Sequence, residues 1–290
     1  MRPPLRPILY VGLLVITLLF LNHCIGQHRI VRVSDRAEVT MADVMDDLRQ
    51  VRLVFVGEVH DQEEHHMMQL AIIQGLRDRG VRLAIGLEMF RNDSQTNLDR
   101  WTSGKLSEAS FEPLYYDNWN FPLKLYRDIF FYARDNQIRM VGLNISREIT
   151  HQVAQEGFAS LSPEQVGELP EVRCDVDATY EDFIRRSFDM HEHGGMEFIY
   201  FCEAQLVWDT VMAWNLLQFL ADNPDHVVVV LAGNGHAWKR GIPEQVRRRS
   251  KMPYRVILPE PPGSMAPGNI SLDDADYIWT NPYRPALAAE

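Results

Sequence analysis

The sequence predicts an α/β protein with a mostly parallel sheet, helices on both faces, and a helical lid or subdomain. Short apolar runs rich in β-branched residues, such as residues 53–57 and 226–232, alternate with longer segments whose apolar residues have helical spacing. Strands that alternate with helices form parallel sheets covered on both faces. The chain has 290 residues, 46% of them hydrophobic, which is the length and composition of a folded protein with a sizeable core.

The first half of the chain is predicted to form three strands and four helices. The strands are residues 30–33, 53–57 and 82–87, and the helices are residues 41–49, 63–79, 95–102 and 122–136, with a loop between the last two. Gly80 ends the second helix, as a glycine after a helix commonly does. Leu125, Ile129 and Phe130 belong to an apolar stripe that gives the fourth helix a buried face.

The second half begins with a strand, residues 139–143, after which Ser146 can cap a helix. Residues 160–195 are more polar and irregular, and we assign the region of about 160–225 to a helical lid or subdomain. The remaining predicted elements are a helix at 197–220, a strand at 226–232, a helix at 243–249, a strand at 254–258 and a loop at 259–268.

The N-terminal residues predict a targeting segment that is not part of the fold. Arg2 and Arg6 precede an apolar stretch, residues 8–21, which is typical of an export signal. This stretch is short for a helix that spans a membrane, which needs roughly 20 residues. We therefore expect a signal peptide or an N-terminal membrane anchor at residues 1–26 and a single domain at residues 27–290. The expected location is the bacterial cell envelope, periplasmic or membrane-anchored.

Charge and cysteine content narrow the possible partners. The net charge of -11 argues against a nucleic-acid surface, and the basic patch within residues 247–251 is explained by a solvated helix face.

Cys24 stands where a lipoprotein carries its modified cysteine, although His23 makes a poor lipid-attachment box. Cys174 and Cys202 could pair in an oxidising compartment, or both could stay as buried thiols.

Two Gly-x-x-His motifs follow buried strands, one from Gly57 to His60 and the other from Gly233 to His236. Each glycine allows a sharp exit from its strand and leaves the histidine at the rim. Ligands of parallel sheets bind beyond the carboxyl ends of the strands. The residues at predicted strand ends, which we expect to converge on one crevice, are Glu58, His60, Glu88, Asn144 and His236.

The converging groups could hold a divalent metal ion that activates water for hydrolysis. Under this hypothesis the metal ligands are Glu58, His60, Glu88 and His236. Otherwise the two glutamates cap helices or hydrogen-bond the histidines. At least one of His65 and His66 can face the crevice, because both begin the following helix. His191 and His193 lie in the irregular region, where a loop could carry them over the site, although a surface loop without a role explains them better.

An aromatic cluster suggests a different ligand. It comprises Tyr115, Tyr116, Trp119, Phe121 and Tyr126, and Met67, Met68, Met89 and Met212 add apolar surface. A porphyrin needs a wide apolar wall of this kind, with histidine or tyrosinate as an axial ligand. Such a cluster is more commonly plain core.

One set of motifs between about residues 40 and 258 occurs in a characteristic order. It consists of Val56–Asp61, His65, His66, Gln69, Leu87–Phe90, Gln95, Trp119, Tyr126, Gly142–Asn144, Gln205–Asp209, Met212, Ala213, Ala232–His236 and Gly241–Pro243. This set resembles the ChaN family of haem-binding proteins. The resemblance implies haem binding in iron acquisition, with haem held between the subunits of a dimer and iron contacted by a tyrosine, for which Tyr126 is our candidate. More distantly, the Gly-x-x-His motifs and Glu88 resemble the TraB and Tiki group, whose Tiki branch implies a metal-dependent peptidase.

We therefore predict an exported protein that binds haem at the carboxyl edge of its sheet for haem and iron uptake, without catalysing a reaction on it. The candidate pocket residues are Glu58, His60, His65, His66, Glu88, Tyr126, Asn144, Asn234 and His236. Expected partners are haem, outer-membrane or periplasmic haem transport proteins, a membrane reached through the N-terminus, and a second subunit in a homodimer. One alternative is the metal-dependent hydrolase described above, and another is an envelope interaction protein with an inactive pocket.

Overall fold

The computed structural model describes residues 29–172, 178–189, 197–260 and 270–280. Five features of the sequence lie wholly or mostly outside these ranges, namely the N-terminal segment with Cys24, then Cys174, His191, His193 and the predicted loop at 259–268. The expectations attached to them stay predictions. Cys202 is buried, and its pairing with Cys174 is among the untested expectations.

Eight strands form one sheet. They are β1 (Arg29–Arg32), β2 (Glu38–Val39), β3 (Leu53–Glu58), β4 (Leu83–Arg91), β5 (Arg139–Asn144), β6 (Val227–Gly233), β7 (Tyr254–Pro259) and β8 (Tyr277–Thr280). Their order across the sheet is β2-β1-β8-β7-β3-β6-β4-β5. The six strands from β8 to β5 pair in parallel, whereas β1 and β2 are antiparallel additions at one edge. The predicted mostly parallel sheet is therefore confirmed.

Helices cover both faces of the sheet. They are α1 (Met41–Leu48), α2 (Glu63–Asp78), α3 (Gln95–Thr102), α4 (Glu108–Asn118), α5 (Leu123–Asp135), α6 (Arg147–Glu156), α7 (Pro163–Gly167), α8 (Ala178–Asp189), α9 (Phe198–Asp222), α10 (Asn234–Ala237) and α11 (Ile242–Arg249). Val54 and Val56 of β3 belong to the apolar core under α2 and α5, and Phe55 belongs to the core under α9 and α11. This alternation, with every position of β3 buried, explains why the strand is an unbroken apolar run.

Strand β4 is longer than predicted, and this changes the place of Glu88. The pairing of β4 with β6 ends at Leu87, but β4 continues along β5 through a register shift between Leu87 and Arg91. Gly142 permits this close pairing, because a Cβ there would collide with the backbone of Arg91. Glu88 therefore lies inside its strand and not after it, one residue beyond the last pair that β4 makes with β6.

Two parts of the fold were not predicted. Residues 103–121, expected as a loop, contain helix α4, in which the Ser107 side chain caps the N-terminus by accepting from the backbone N–H of Ser110. The helix shows no clear apolar stripe and contains Pro113, which is unusual in a helix interior. Strands β2 and β8 were also missed, because short edge strands carry little periodic signal.

The region of about 160–225 contains α7, α8 and α9. Helix α9 packs Leu216 and Phe219 into the core on one face of the sheet. This part of the region therefore covers the sheet, and the lid role of the remainder stays a prediction. Among the residues that the structure describes, no helix is both long enough and apolar enough to cross a membrane.

Candidate functional site

The two Gly-x-x-His motifs lie side by side at the carboxyl edge of the sheet. Strands β3 and β6 pair in parallel with Glu58 opposite Gly233, so both turns leave the sheet at the same level. Each glycine makes room for a polar side chain of the other motif. A Cβ on Gly57 would collide with Asn234 Oδ1, and a Cβ on Gly233 would lie 2.8 Å from His60 Cε1. Glycine is therefore needed at both positions because the two turns pack against each other.

The first motif forms a histidine–carboxylate pair. His60 Nδ1 lies 2.7 Å from Glu58 Oε1, and because an ionised carboxylate only accepts hydrogen bonds, Nδ1 donates. Burial lowers the pKa of His60, but the Glu58 carboxylate and the charge of Glu88 outweigh burial and raise it. The His60 side chain is 28% exposed, and its Nε2 lies on the side of Gly233. Nε2 is thus the ring nitrogen that faces the crevice.

Glu58 is buried and receives two donors on each oxygen. The Tyr126 hydroxyl donates to Oε1 at 2.5 Å, beside the His60 Nδ1. On Oε2 the Gln69 amide donates at 2.8 Å, and His66 Nδ1 lies 3.2 Å away. Burial alone would raise the pKa of Glu58, but the hydrogen bonds and charges of the two histidines hold it well below its ordinary range. Glu58 therefore stays ionised, with both oxygens occupied.

The second motif forms a similar pair with a partner from another element. His236 Nδ1 lies 2.7 Å from Oδ1 of Asp209, a buried residue of α9. Burial lowers the pKa of His236, but Glu88 and Asp209 outweigh burial and raise it to about 9. Burial raises the pKa of Asp209 to about 6 in spite of His236. The Tyr180 hydroxyl donates to Asp209 Oδ2 at 3.4 Å, which is long for a hydrogen bond.

Glu88 lies between the two pairs. Its Oε2 accepts a hydrogen bond of 2.6 Å from the backbone N–H of Gly233, and its Oε1 lies 3.8 Å from His236 Nε2. The Asn144 amide donates to the Glu88 carbonyl at 2.8 Å and so holds the backbone of β4 at this point. The site therefore brings together two oriented imidazoles and one buried carboxylate that faces them.

The structure separates the neighbouring histidines His65 and His66. The ring of His66 is buried against Tyr126 with a centroid distance of 4.1 Å, and it faces Glu58. His65 Nδ1 accepts a hydrogen bond from Val59 N–H, and its ring packs edge-on against Trp279. Of the two, only His66 belongs to the cluster around Glu58.

Of the three remaining candidate residues, two have structural roles. Tyr126 is fully buried, and burial together with Glu58 raises the pKa of its hydroxyl, so the structure assigns this residue to holding Glu58 and not to an iron ligand. Asn144 supports β4, as described above. Asn234 Oδ1 is buried against Gly57 without a hydrogen-bond partner in the described part of the chain. The structure therefore brings most of the residues named from the sequence into one cluster, with Tyr126 beneath it.

Sequence reasoning assigned no role in the site to Asp209 or Gln69. Both are buried polar residues on helices whose other buried positions are mostly apolar. A buried polar residue within an apolar helix face is the signal that could have identified them.

An aromatic wall borders His60. Its ring packs edge-on against Trp119 at 5.0 Å and in a tilted arrangement against Phe121 at 4.9 Å, measured between ring centroids. Tyr116 is exposed, whereas Tyr115 is fully buried in the core together with Met68, Met89 and Met212. The expected apolar wall therefore consists of Trp119 and Phe121, and most of the other aromatic and methionine side chains of that prediction are core.

The geometry of the site does not support the hypothesis of a bound metal ion. Within the described ranges, no group of three or more histidine, cysteine, aspartate or glutamate side chains is placed to hold a metal ion. Among the four expected ligands, Glu58 has both oxygens occupied by donors, and Glu88 Oε2 is occupied by Gly233 N–H.

The family model described as "Haem-binding uptake, Tiki superfamily, ChaN" matches residues 44–246, which include both Gly-x-x-His motifs and Glu88. Among curated proteins, RETICULATA-RELATED 5, a chloroplastic protein of Arabidopsis thaliana, is 23% identical over 265 residues, covering 83% of this chain and 36% of the plant protein. The chain thus spans about a third of the length of that relative.

Solved structures share the fold. ChaN of Campylobacter jejuni, solved with cofacially bound haem, superposes with a TM-score of 0.69 at 20% identity, covering 87% of this chain and 96% of that one. The erythromycin esterase EreC, solved as a mutant in its open conformation, superposes with a TM-score of 0.51 at 14% identity, covering 83% of this chain and 93% of that one. At these identities the similarity establishes the architecture alone.

Proposed function

The chain belongs to the ChaN family of haem-binding uptake proteins in the Tiki superfamily, and from that premise we propose that it binds haem and takes part in haem and iron uptake. The observation that carries the proposal is the family match over residues 44–246, which spans the entire candidate site. The fold similarity to the haem-bound ChaN of Campylobacter jejuni supports it.

The residues at the crevice fit haem as a cargo. A histidine that ligates a metal commonly donates its second ring N–H to a carboxylate, which fixes the ring and raises its basicity. His60 has this arrangement, since Nδ1 is bound to Glu58 and Nε2 faces the crevice. Trp119 and Phe121 supply the adjacent apolar surface that a porphyrin needs. We therefore propose His60 as the residue that contacts the haem iron.

The biological setting is part of the same proposal. The apolar segment at residues 8–21 supports export to a bacterial cell envelope, periplasmic or held at a membrane by the N-terminus. In that setting, outer-membrane or periplasmic haem transport proteins would deliver or receive the haem. A homodimer would let two subunits share the bound haem.

A haem titration of the purified protein, followed by absorbance, tests the proposal. We expect a saturable Soret shift at near-stoichiometric haem, and we expect His60→Ala to weaken haem binding by roughly ten-fold or more. The matched control is His151→Ala, because His151 is an exposed histidine on α6. The absence of a saturable shift in the wild-type protein would refute the proposal.

The variant Glu88→Gln separates haem binding from hydrolysis. Glu88 does not contact Nε2 of His60 within hydrogen-bond distance, so a haem-binding protein should keep most of its affinity in this variant. A hydrolase that used Glu88 would lose activity. Metal analysis of the same preparations should find no stoichiometric divalent ion, and finding one that Glu88→Gln removes would favour the hydrolase.

A further inference from the structure

The arginines at the end of α11 line a cavity on the surface of the protein. From sequence they were expected to form a solvated helix face. In the structure they border a cavity of about 620 Å³. Its main lining side chains are Trp214, Glu244, Gln245, Arg247, Arg248 and Arg249. This volume lies within the range of small-molecule pockets, roughly 300–1,000 Å³.

Glu244 holds two of these arginines in place. Arg247 donates to its carboxylate through two nitrogens, at 2.6 and 2.8 Å, and Arg248 donates through Nε at 2.9 Å. Both pairs join residues three or four positions apart on one helix, which is the spacing that brings side chains together. A guanidinium carries five N–H donors, and the Arg247 side chain remains 62% exposed. Arg247 thus has donors left for a ligand, in a position already fixed by Glu244.

The lining of the cavity is positively charged within an acidic protein. Three arginines and the two carboxylates of Glu171 and Glu244 leave a net charge of about +1 on the lining, whereas the whole chain carries -11. Arg249 donates to the Glu171 carbonyl at 2.7 Å and so joins α11 to the segment before α8. An anionic group is the charge class that such a lining attracts.

Trp214 adds an apolar wall to this charged lining. Its side chain is 41% exposed, whereas Trp101, Trp238 and Trp279 are buried. An exposed indole beside guanidinium groups offers a flat face for stacking together with donors for carboxylates. The ligand class that uses both features is a planar ring system that carries carboxylates.

We propose that this cavity binds a planar, carboxylate-bearing ring, with the guanidinium groups of Arg247 and Arg248 on its carboxylates and Trp214 against the ring. The identity of the ligand rests on the proposed function. If the protein binds haem, the ligand of this cavity is a porphyrin held by its propionates. Helix α11 starts after the Gly233–His236 turn and ends before β7 begins. None of the residues that line the cavity belongs to the group around His60 and His236. The cavity is a second porphyrin position that involves no bond to iron.

The test is a titration of the full chain with metal-free protoporphyrin IX, followed by absorbance. This probe has the ring and both propionates but no iron for His60 to ligate. We expect saturable binding that Arg247→Ala weakens by roughly ten-fold, which is the effect of losing one charge-assisted hydrogen bond. Trp214→Ala should weaken it by about five-fold through the loss of stacking.

Two control variants match these changes. Arg127 is an exposed helix arginine that pairs with Glu108 through two hydrogen bonds, as Arg247 pairs with Glu244. Ile199 is an exposed apolar residue on α9, the same helix as Trp214. Arg127→Ala and Ile199→Ala should leave the affinity for protoporphyrin within about two-fold of the wild-type value. Circular dichroism of all variants confirms that they are folded.

The outcomes separate this inference from the proposed function. Loss of protoporphyrin binding in His60→Ala but not in Arg247→Ala would overturn the second position and leave haem binding at His60 intact. Unchanged affinity in Trp214→Ala would overturn the assignment of a planar ligand. A wild-type protein that binds protoporphyrin through Arg247, and whose haem shift does not depend on His60, would refute His60 as the iron contact and support the cavity.

Discussion

The two histidine–carboxylate pairs of the site have similar geometry, but the pKa of the carboxylate is lowered in one pair and raised in the other. In the first, Glu58 is two residues from His60 and receives four donors, and the two histidines among them hold its pKa below the ordinary range in spite of burial. In the second, Asp209 comes from α9, has His236 and a distant Tyr180 as partners, and has its pKa raised to about 6 by burial. Both carboxylates are almost fully buried, at 2% and 1% exposure.

Since burial is equal, the neighbouring donors and charges decide the difference: Glu58 faces two histidines, whereas Asp209 faces one histidine and the charge of Glu88. Two donors on each oxygen of Glu58 replace the hydration that burial removes, so the ionised form is favoured. For Asp209, one short and one long hydrogen bond do not replace the hydration that burial removes. The first pair should therefore act as a rigid, permanently charged anchor, and the second as a pair whose charge depends on pH.

Glu58→Gln should have the largest effect, because it removes a buried charge and replaces one of the two accepting oxygens by an NH2 group, which faces two donors. We expect the free energy of unfolding to fall by about 3 kcal/mol, in the range for breaking a buried ion pair. Urea denaturation at neutral pH measures it. Glu63→Gln, on the exposed first turn of α2, is the control and should change stability by less than about 0.5 kcal/mol. Equal effects in the two variants would show that the four-donor cluster is not an anchor.

Alkaline pH should weaken the second pair. The pKa of His236 is raised from 6.5 to about 9 in the folded protein, so its stabilising contribution is complete below pH 6.5 and is lost as the pH rises through about 9. The full loss amounts to about 3 kcal/mol at most. Asp209→Asn should lower the His236 pKa and flatten this part of the stability curve. Denaturation between pH 6 and 10, with the His236 titration followed by NMR, checks both effects. A slope that is the same with and without Asp209 would assign the pH dependence to other groups.

Replacing each tyrosine by phenylalanine should give the smallest and most direct contrast. Tyr126 donates to Glu58 at 2.5 Å and Tyr180 to Asp209 at 3.4 Å. Tyr126→Phe should cost about 2 kcal/mol, the range for a hydrogen bond to a charged group, and Tyr180→Phe about 0.5 kcal/mol or less. Thermal denaturation of both variants at neutral pH measures the difference. A larger loss of stability for Tyr180→Phe than for Tyr126→Phe would contradict the conclusion that the hydrogen bond to Glu58 is the stronger of the two.

Much of the fold could be predicted because its signals are local. The buried strands β3 and β6 are unbroken apolar runs, and helices such as α5 show a clear apolar stripe. Helix α4 and strand β8 were missed because their burial depends on distant neighbours and not on a periodic pattern. Glu88 was misplaced for a related reason, since the irregular pairing that lengthens β4 involves Arg91 and Gly142, which are far apart in sequence.

The candidate site, too, could be predicted from the sequence only in part. The two Gly-x-x-His motifs, Glu58 and Glu88 could be placed together from sequence, because parallel strands bring their carboxyl ends to one edge. Which histidine of the His65–His66 pair faces the site depends on a single helical step, which the pattern did not resolve. Asp209 came from a helix whose position over β6 was not predicted, so its contact with His236 could not be foreseen.

The sequence by itself determined the alternation of strands and helices, the two glycine turns and the identity of the groups at the carboxyl edge. These follow from local apolar periodicity and from the small size of glycine. The tertiary structure alone decided which carboxylate each histidine meets, how many donors each carboxylate receives, and hence which pair stays charged. The physical reason is that the pKa of a buried group depends on desolvation and on donors within about 3 Å, and those donors come from segments far apart in the chain.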